Sequence, residues 1–287
     1  MKSGLLRPVR LVFNLLRRRR VWQWGSLVLL NLPLLGLWTQ VCAPVLNCHS
    51  CPWAVFACPI GVAGHLISWH VFPLYVLGTM LVWGALFGRI VCGWVCPFGL
   101  VQDYLHKIPS PKWRLPRWTR YLKYGVLLTS VILVPFFIGL SNRAFFCSLC
   151  PVGTLESMLP AVVASGDWAA FLRSWARTLA LILILLFGVV AMRSFCKTLC
   201  PIGAFLALCN RFSGYSLHYN QDTCSSCELC LAGCPMDVDI AEMENKAGGV
   251  TLTASSECIL CLNCTRNCHT SGLSWSFWTL VGGGRKR

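Results

Sequence analysis

Two runs of four cysteines near the end of the chain are the residues best suited to chemistry. They are Cys224-x2-Cys227-x2-Cys230-x3-Cys234 and Cys258-x2-Cys261-x2-Cys264-x3-Cys268. Three thiolates at two-residue intervals can bind three corners of a [4Fe–4S] cube, and where two such runs occur the last cysteine of each serves the other cluster. The spacing therefore predicts one cluster on Cys224, Cys227, Cys230 and Cys268, and a second on Cys258, Cys261, Cys264 and Cys234.

Zinc sites and disulfides are the alternatives for these runs. Zinc motifs usually combine two Cys-x2-Cys pairs, or one such pair with histidines, rather than three cysteines at equal intervals. Disulfides are disfavoured in the cytoplasm. The second run is followed by His269 where the first has Pro235, a small departure that we interpret as a surface residue.

The composition indicates a membrane protein. Charged residues make up 12% of the 287 residues, about half the usual fraction, and hydrophobic residues make up 56%. This excludes a disordered chain and nearly excludes a purely soluble globule, which would need more charge on its surface. The net charge is +15, from 25 Lys and Arg against 10 Asp and Glu. The positive charges are distributed along the sequence as they are in membrane proteins, where they set the orientation of the spans. No nucleic-acid partner is therefore expected.

Four apolar stretches approach the ~20 residues that a membrane-spanning helix needs. They are Val21–Val41, Val71–Val91, Tyr124–Leu140 and Arg177–Met192. A fifth stretch, Pro52–Trp69, is broken by proline and glycine, and we interpret it as an interfacial or re-entrant segment. The sequence therefore predicts a membrane protein with four transmembrane α-helices.

Lysine and arginine alternate between the ends of these predicted spans. Seven precede the first span, none lies between the first and second, seven lie between the second and third, and two between the third and fourth. Cytoplasmic loops carry the excess of these residues, so we expect a multi-pass protein of the bacterial inner membrane with both termini in the cytoplasm. A cleaved signal peptide is the alternative for the N-terminus, but the apolar run is long and no cleavage site follows it.

The chain accordingly divides into three parts. Residues 1–20 form a basic cytoplasmic N-terminus, residues 21–212 the membrane domain, and residues 213–287 a cytoplasmic two-cluster module. Seven of the ten acidic residues fall between Asp222 and Glu257, which sets this last part apart in composition. We expect it to be a ferredoxin-like α+β domain.

The motif Cys-Pro-x-Gly occurs four times, each time near the end of a predicted span, at 58–61, 96–99, 150–153 and 200–203. The alternation of spans and motifs predicts a two-fold internal repeat of a two-helix unit. Cysteines at i and i+4 share one helix face, so two pairs are candidates for a four-thiolate metal site, a cluster, or dithiols that exchange electrons. These possible redox or metal residues are Cys92, Cys96, Cys196 and Cys200. Small buried residues at helix ends are the alternative.

The remaining cysteines and histidines carry weaker signals. The predicted topology places Cys147, Cys150 and the group from Cys48 to Cys58 on the oxidising side, where disulfides are the natural expectation. Cys42 and Cys209 have no partner at motif spacing and are interpreted as structural. Three histidines, His49, His65 and His70, lie in the first periplasmic loop. They could face a quinone headgroup or bind haem or metal, although ordinary interfacial histidines are the default.

The Cys-x3-Cys-Pro-Phe-Gly at 92–99, the Cys-x3-Cys-Pro-Ile-Gly at 196–203 and the two cluster runs resemble the NapH-type membrane ferredoxin family over nearly the whole chain. The resemblance implies the quinol-dehydrogenase membrane component of a periplasmic nitrate reductase system, with electrons flowing from ubiquinol. It implies as partners the quinone pool, a periplasmic ferredoxin-like subunit of the NapG type and a multihaem cytochrome c of the NapC type. No catalytic residue is identified.

Relatives of this architecture supply a second hypothesis, a maturation protein that binds or reduces copper or another metal for a respiratory enzyme. The edge cysteines suit either function. A structural scaffold with vestigial clusters is a third and weaker hypothesis, because both cluster runs are intact.

Overall fold

Helices make up most of the structure, and a small sheet follows them. The computed structural model describes residues 19–32, 41–51, 53–220, 223–225, 227–238, 250–251, 256–270 and 272–277. The helices before the sheet are α1 (Arg19–Leu30), α2 (Pro59–Ser68), α3 (Leu74–Phe87), α4 (Ile90–Trp94), α5 (Pro97–Leu105), α6 (Arg117–Phe137), α7 (Phe146–Leu149), α8 (151–165), α9 (Ala169–Arg173), α10 (Trp175–Val190), α11 (Ser194–Thr198) and α12 (Pro201–Cys209). Two short helices, α13 (Leu229–Ala232) and α14 (Asn263–Asn267), lie within the cysteine runs.

The prediction of four transmembrane helices is wrong. Within the described residues only α6, with 21 residues, is long and apolar enough to cross a membrane. Helices α3 and α10 have 14 and 16 residues. At 1.5 Å per residue they reach about 21 and 24 Å, short of the ~30 Å hydrocarbon core. In the first predicted span, α1 ends at Leu30, and residues 33–40 lie outside the described part of the chain.

Buried arginines explain where the two shorter helices stop. Helix α3 ends at Gly88, whose φ of 56° breaks the helix, and the next residue, Arg89, is fully buried. Helix α10 ends just before Arg193, which is also fully buried and has a φ of 51°. At both places the backbone therefore turns toward the protein interior. Neither apolar stretch of the sequence continues as one helix. The segment predicted to be interfacial contains α2, a helix of ten residues.

Each Cys-Pro-x-Gly motif begins a helix. Its cysteine is the N-cap, in an extended conformation, and its proline is the first helical residue of α2, α5, α8 or α12. Proline suits this position because it has no N–H to satisfy and its φ is already helical, while it disfavours helical backbone in the residue before it. A short helix precedes three of the four cysteines: α4, α7 and α11. The four motifs therefore share one local structure.

The sheet frames the two cysteine runs. Its strands β1 (Tyr215–Tyr219), β2 (Val250–Thr251) and β3 (Leu273–Phe277) are antiparallel in the order β2-β1-β3. The alternation of side chains buries Leu217 of β1 and Leu273 of β3, which form a small core with Leu260 of the second run. Because β1 precedes the first run and β3 follows the second, this core fixes both ends of the module.

Candidate metal centres

Three cysteines of the second run and the last cysteine of the first run surround one cavity. The thiol-bearing residues that line it are Cys234, Cys258, Cys261 and Cys264. The four thiols interact electrostatically with one another. Burial raises the pKa of Cys258 to about 12. A positive centre is therefore needed to hold the Cys258 thiol as a thiolate at neutral pH.

The two runs share an unusual backbone turn. Glu228, between the second and third cysteines of the first run, has a φ of 55°, and Leu262 at the same position of the second run has a φ of 59°. A non-glycine residue in this region is strained, and such strain concentrates at functional sites. A short helix begins directly after each turn, α13 in one run and α14 in the other. The two runs are thus equivalent loops, although their sequences share little beyond the cysteines.

The first run lies at the exposed edge of the module. Cys227 is exposed, and its thiol interacts electrostatically with Cys268 of the second run. Cys230 interacts in the same way with Cys224 and Cys227. The structure therefore brings together the crossed sets that the spacing predicts, with Cys234 beside the second run and Cys268 beside the first. That these residues ligate clusters stays a prediction.

The second run is docked against the helices that surround Cys92. The indole of Trp94 donates a hydrogen bond of 2.9 Å to the carbonyl of Leu260. The amide of Asn210 donates one of 3.1 Å to the carbonyl of Cys258. Cys92 itself packs against the small apolar cluster that contains Ile259 and Cys261. The helical part and the module are therefore in direct contact at their cysteines.

Buried ion pairs hold this contact together. The carboxylate of Glu257 accepts hydrogen bonds of 2.9 Å from Arg89 and 2.5 Å from Lys123. Lys197 forms a second ion pair with Asp237, and Arg120 donates to the Asp237 carbonyl at 2.6 Å. Opening a buried pair leaves an uncompensated charge, which is strongly destabilising. These ion pairs are not predictable from the sequence, because a basic residue near an apolar stretch also fits a role in membrane orientation.

The four possible redox or metal cysteines of the helical part also come together. Cys196 and Cys200 interact electrostatically with each other and with Cys92 and Cys96. The amide of Gln102 donates to the Cys196 Sγ at 3.1 Å, and the backbone N–H of Gly203 donates to the Cys200 Sγ at 3.3 Å. The prediction that the two cysteines of each pair share one face of a single helix is wrong. Cys92 and Cys196 lie in short helices, whereas Cys96 and Cys200 cap the helices that follow. The four thiols meet because the two halves pack together.

A second group of four cysteines meets at another cavity, of about 240 Å³. Its thiol-bearing lining residues are Cys48, Cys58, Cys147 and Cys150. Disulfides are the sequence-based expectation here, but all nineteen cysteines lie within the described residues and all are free. The spacing in the sequence links Cys147 with Cys150 but not with the segment about 100 residues earlier that holds Cys48 and Cys58. The repeated Cys-Pro-x-Gly motif was the signal that could have linked them.

The histidines separate into two places. His49 and His65 line the cavity of this second group, with their rings 5.4 Å apart. His70 instead borders an apolar cavity and meets the ring of Phe136 edge-on at 4.8 Å. Cys209 packs against Gly84, where an added Cβ would lie 2.6 Å from that of Cys209. This close packing agrees with a structural role for Cys209.

In the described part of the chain, no three His, Cys, Asp or Glu side chains are arranged to bind a single metal ion.

Two families match the chain. A 4Fe-4S binding domain family matches residues 69–116, 125–159 and 174–217, and each stretch contains a Cys-Pro-x-Gly motif. A 4Fe-4S dicluster domain family matches residues 216–269, which hold both cysteine runs.

Three relatives are similar over most of this chain. The uncharacterised protein MJ0750 of Methanocaldococcus jannaschii is 29% identical over 76% of this chain and 81% of its own length. The uncharacterised protein MJ0749 of the same organism is 28% identical over 67% of this chain and 66% of its own. YccM of Escherichia coli, for which electron transport is the proposed role, is 26% identical over 72% of this chain and 56% of its own. No solved structure matches the chain.

The chain therefore carries ferredoxin-type 4Fe–4S domains and is an iron–sulfur electron-transfer protein.

Proposed function

We propose that the chain is the membrane electron-transfer component of a quinol dehydrogenase, passing electrons from ubiquinol toward a periplasmic nitrate reductase. In this assignment one [4Fe–4S] cluster is held by Cys224, Cys227, Cys230 and Cys268, and a second by Cys258, Cys261, Cys264 and Cys234. When bound, such clusters supply one-electron transfer, and a pair of them matches the two electrons that quinol oxidation releases. Cys92, Cys96, Cys196 and Cys200 form a third redox or metal site beside the second run.

The observation that carries the quinol assignment is an apolar cavity of about 400 Å³. Its walls include Ile67, Val76, Met80, Val131 and Phe136, and among the residues that the structure describes His70 is the one polar side chain that lines it. A mainly apolar cavity of this size with a single polar group suits a ring compound with an isoprenoid tail. His70 is placed to accept a hydrogen bond from a quinol hydroxyl and to take up its proton.

The same cavity reaches the helices that the cysteines cap. Pro59 and Ile60, which directly follow Cys58, line one side of it. Phe205, in the helix capped by Cys200, lines another. A quinol bound there would contact the first turn of the helix capped by Cys58 and the middle of the helix capped by Cys200. This juxtaposition supports electron transfer between the membrane pool and the thiol sites.

Membrane attachment is supported by α6 and by exposed apolar side chains on several helices. Leu74 of α3, Phe137 of α6 and Leu186 of α10 are each more than half exposed. Exposed apolar surface is expected where a protein contacts a membrane or a partner. We place the protein in the bacterial inner membrane, with α6 as one of its membrane-embedded helices. The cytoplasmic location of both termini was inferred from four spans and stays a prediction.

The partners are assigned from the resemblance described above. They are the quinone pool, a periplasmic ferredoxin-like subunit of the NapG type and a membrane-anchored multihaem cytochrome c of the NapC type. The similarity to YccM supports electron transport in general, and the nitrate-reductase pathway is the finer part of the proposal.

Reduction by quinol tests the proposal directly. The full chain, purified without oxygen in detergent, is mixed with a soluble ubiquinol analogue and its reduced-cluster signals are followed by EPR. We expect signals within the range reached by the quinol couple. Reduction by dithionite but never by quinol would exclude the quinol role. Copper or zinc in place of iron would favour the metal-handling alternative.

His70→Asn locates the quinol site. Asparagine tolerates the left-handed φ of 57° that His70 adopts, so the change removes the imidazole with little backbone strain. We expect the rate of reduction by quinol to fall by about a hundredfold or more, as is usual when a proton-transfer group is lost, while reduction by dithionite is unchanged. His106→Asn, at the end of α5 and away from the cavity lining, is the matched control. An unchanged quinol rate in His70→Asn would place the quinol elsewhere.

A further inference from the structure

We propose that Cys48, Cys58, Cys147 and Cys150 form an additional four-thiolate site that binds an iron–sulfur cluster of the [4Fe–4S] class. This site is distinct from the ferredoxin module and from the thiol set around Cys92. It does not depend on the quinol assignment.

Two distant segments close around the site. An added Cβ on Gly153 would lie 3.7 Å from the Cys48 Sγ and 3.8 Å from the Cys150 Cβ. Cys147 and Cys150 each interact electrostatically with both Cys48 and Cys58. The cavity between them, about 240 Å³, is large enough for several metal atoms and their bridging sulfides. Four free thiols from two segments around one cavity form a complete ligand set for a cubane.

The local structure repeats that of the other four-thiol set. Cys58 and Cys150 each cap a helix that begins with proline, as Cys96 and Cys200 do. In each set the two capping cysteines are joined by two further cysteines. The same arrangement, a cysteine N-cap followed by a helix that begins with proline, thus occurs in both sets. A family of 4Fe-4S binding domains matches stretches that contain three of the four capping cysteines.

One arginine and one carboxylate border the site and fix its two loops. Arg177 lines the cavity and donates to the carbonyl of Ser148 at 3.0 Å, so its cationic group is held beside the Cys147–Cys150 loop. The backbone N–H of Cys48 donates to the carboxylate of Glu156 at 2.7 Å, which fixes the other loop.

The two four-thiol sets are also neighbours. The backbone N–H of Leu46 forms a hydrogen bond with the thiol of Cys96. The backbone N–H of the next residue, Asn47, forms one with the thiol of Cys58. Cys92, in the first set, in turn packs against the second cysteine run. The additional site therefore extends a series of adjacent thiol sites that begins in the ferredoxin module.

Iron and acid-labile sulfide counts on the full chain test this site. The variant Cys58→Ser/Cys150→Ser should contain about four irons and four sulfides fewer than the wild type, and the EPR signals of the ferredoxin module should persist. The control is Cys42→Ser/Cys209→Ser, which changes two buried cysteines outside all the proposed sites. An unchanged iron count in the first variant, or zinc in the wild type that is lost only from that variant, would overturn the proposal.

A measurement on the wild type covers the case in which the double variant does not fold. Cys48 and Cys147 are only partly buried, so alkylation followed by peptide mass spectrometry can follow them. We expect both to be protected in the native protein and alkylated after oxidative removal of iron. Equal alkylation before and after iron removal, or a disulfide among the four cysteines of the anaerobic protein, would contradict the assignment.

Discussion

The guanidinium of Arg193 binds the carboxylate of Asp103 through two parallel hydrogen bonds, Nε to Oδ1 at 2.7 Å and Nη2 to Oδ2 at 2.9 Å. Arg193 precedes α11 and Asp103 lies in α5, so this pair joins the two halves that carry the first four-thiol set. Arg193 also donates to the carbonyl of Cys92 at 3.1 Å. One buried arginine therefore fixes both the packing of the halves and the position of a thiol.

Asp103→Asn should destabilise the protein by about 3–5 kcal/mol, because it leaves Arg193 and Arg19, which also pairs with Asp103, as buried charges without a partner. The free energy of unfolding in detergent, measured with chemical denaturant, checks this. Asp167→Asn is the control: its pair with Arg173 is exposed and should contribute less than about 1 kcal/mol. Similar losses in the two variants would show that Arg193 does not depend on Asp103.

Gly93→Ala should loosen the module from the helical part. An added methyl group would lie 2.4 Å from the backbone carbonyl oxygen of Ile259, and backbone cannot move aside as a flexible side chain can. We expect faster amide hydrogen exchange over 256–262 and a lower melting temperature. Gly78→Ala, also within a helix but with no atom within 4 Å of the new methyl, should leave both quantities unchanged or slightly improved. Unchanged exchange over 256–262 in Gly93→Ala would mean that the docking tolerates the methyl group.

Gln102→Leu should lower the midpoint potential of a centre bound at the Cys92 set. The amide donates to the Cys196 Sγ at 3.1 Å, and a hydrogen bond to a ligating sulfur stabilises the more negative, reduced state. An EPR-monitored redox titration measures the shift. Gln23→Leu removes a similar buried amide that donates to the Gly93 carbonyl instead of a sulfur. Equal shifts in the two variants would argue for a general packing effect.

Cys227→Ser and Cys261→Ser should each remove one cluster of the module, with a loss of about four irons per chain. Their effects on stability should differ, because Cys227 is exposed whereas Cys261 is buried against the helical part. We expect only Cys261→Ser to lower the melting temperature markedly. Iron analysis and calorimetry on the same samples provide the check, and full iron content in both variants would remove these residues from the ligand sets.

The ferredoxin-type chemistry could be predicted from the sequence because it depends on short spacings. Three cysteines at two-residue intervals limit the chain to a narrow range of loops, and the turns at Glu228 and Leu262 follow that limit. The 4Fe–4S domains and the electron-transfer role are confirmed by the family matches and by YccM. The assignment to a nitrate-reductase pathway depends on partner proteins, and the cysteine spacing of this chain carries no information about them.

The helical part could not be predicted in the same way. Hydropathy along the sequence does not register that Arg89 and Arg193 are buried, because their carboxylate partners, Glu257 and Asp103, are 168 and 90 positions away. The predicted spans therefore ran past the true helix ends. The meeting of Cys48 with Cys147 was missed for the same reason: it depends on how two segments pack across the fold.

The proposed exchange of Cys234 and Cys268 between the two cluster loops has a consequence for how the protein matures. Neither loop can complete its ligand set until the other has folded beside it, so assembly of the pair is cooperative. In a cell with limited iron, the population should divide into fully loaded and empty molecules, with few that are half-assembled. A shortage of iron would then lower the number of molecules that carry clusters, while each loaded molecule would carry both.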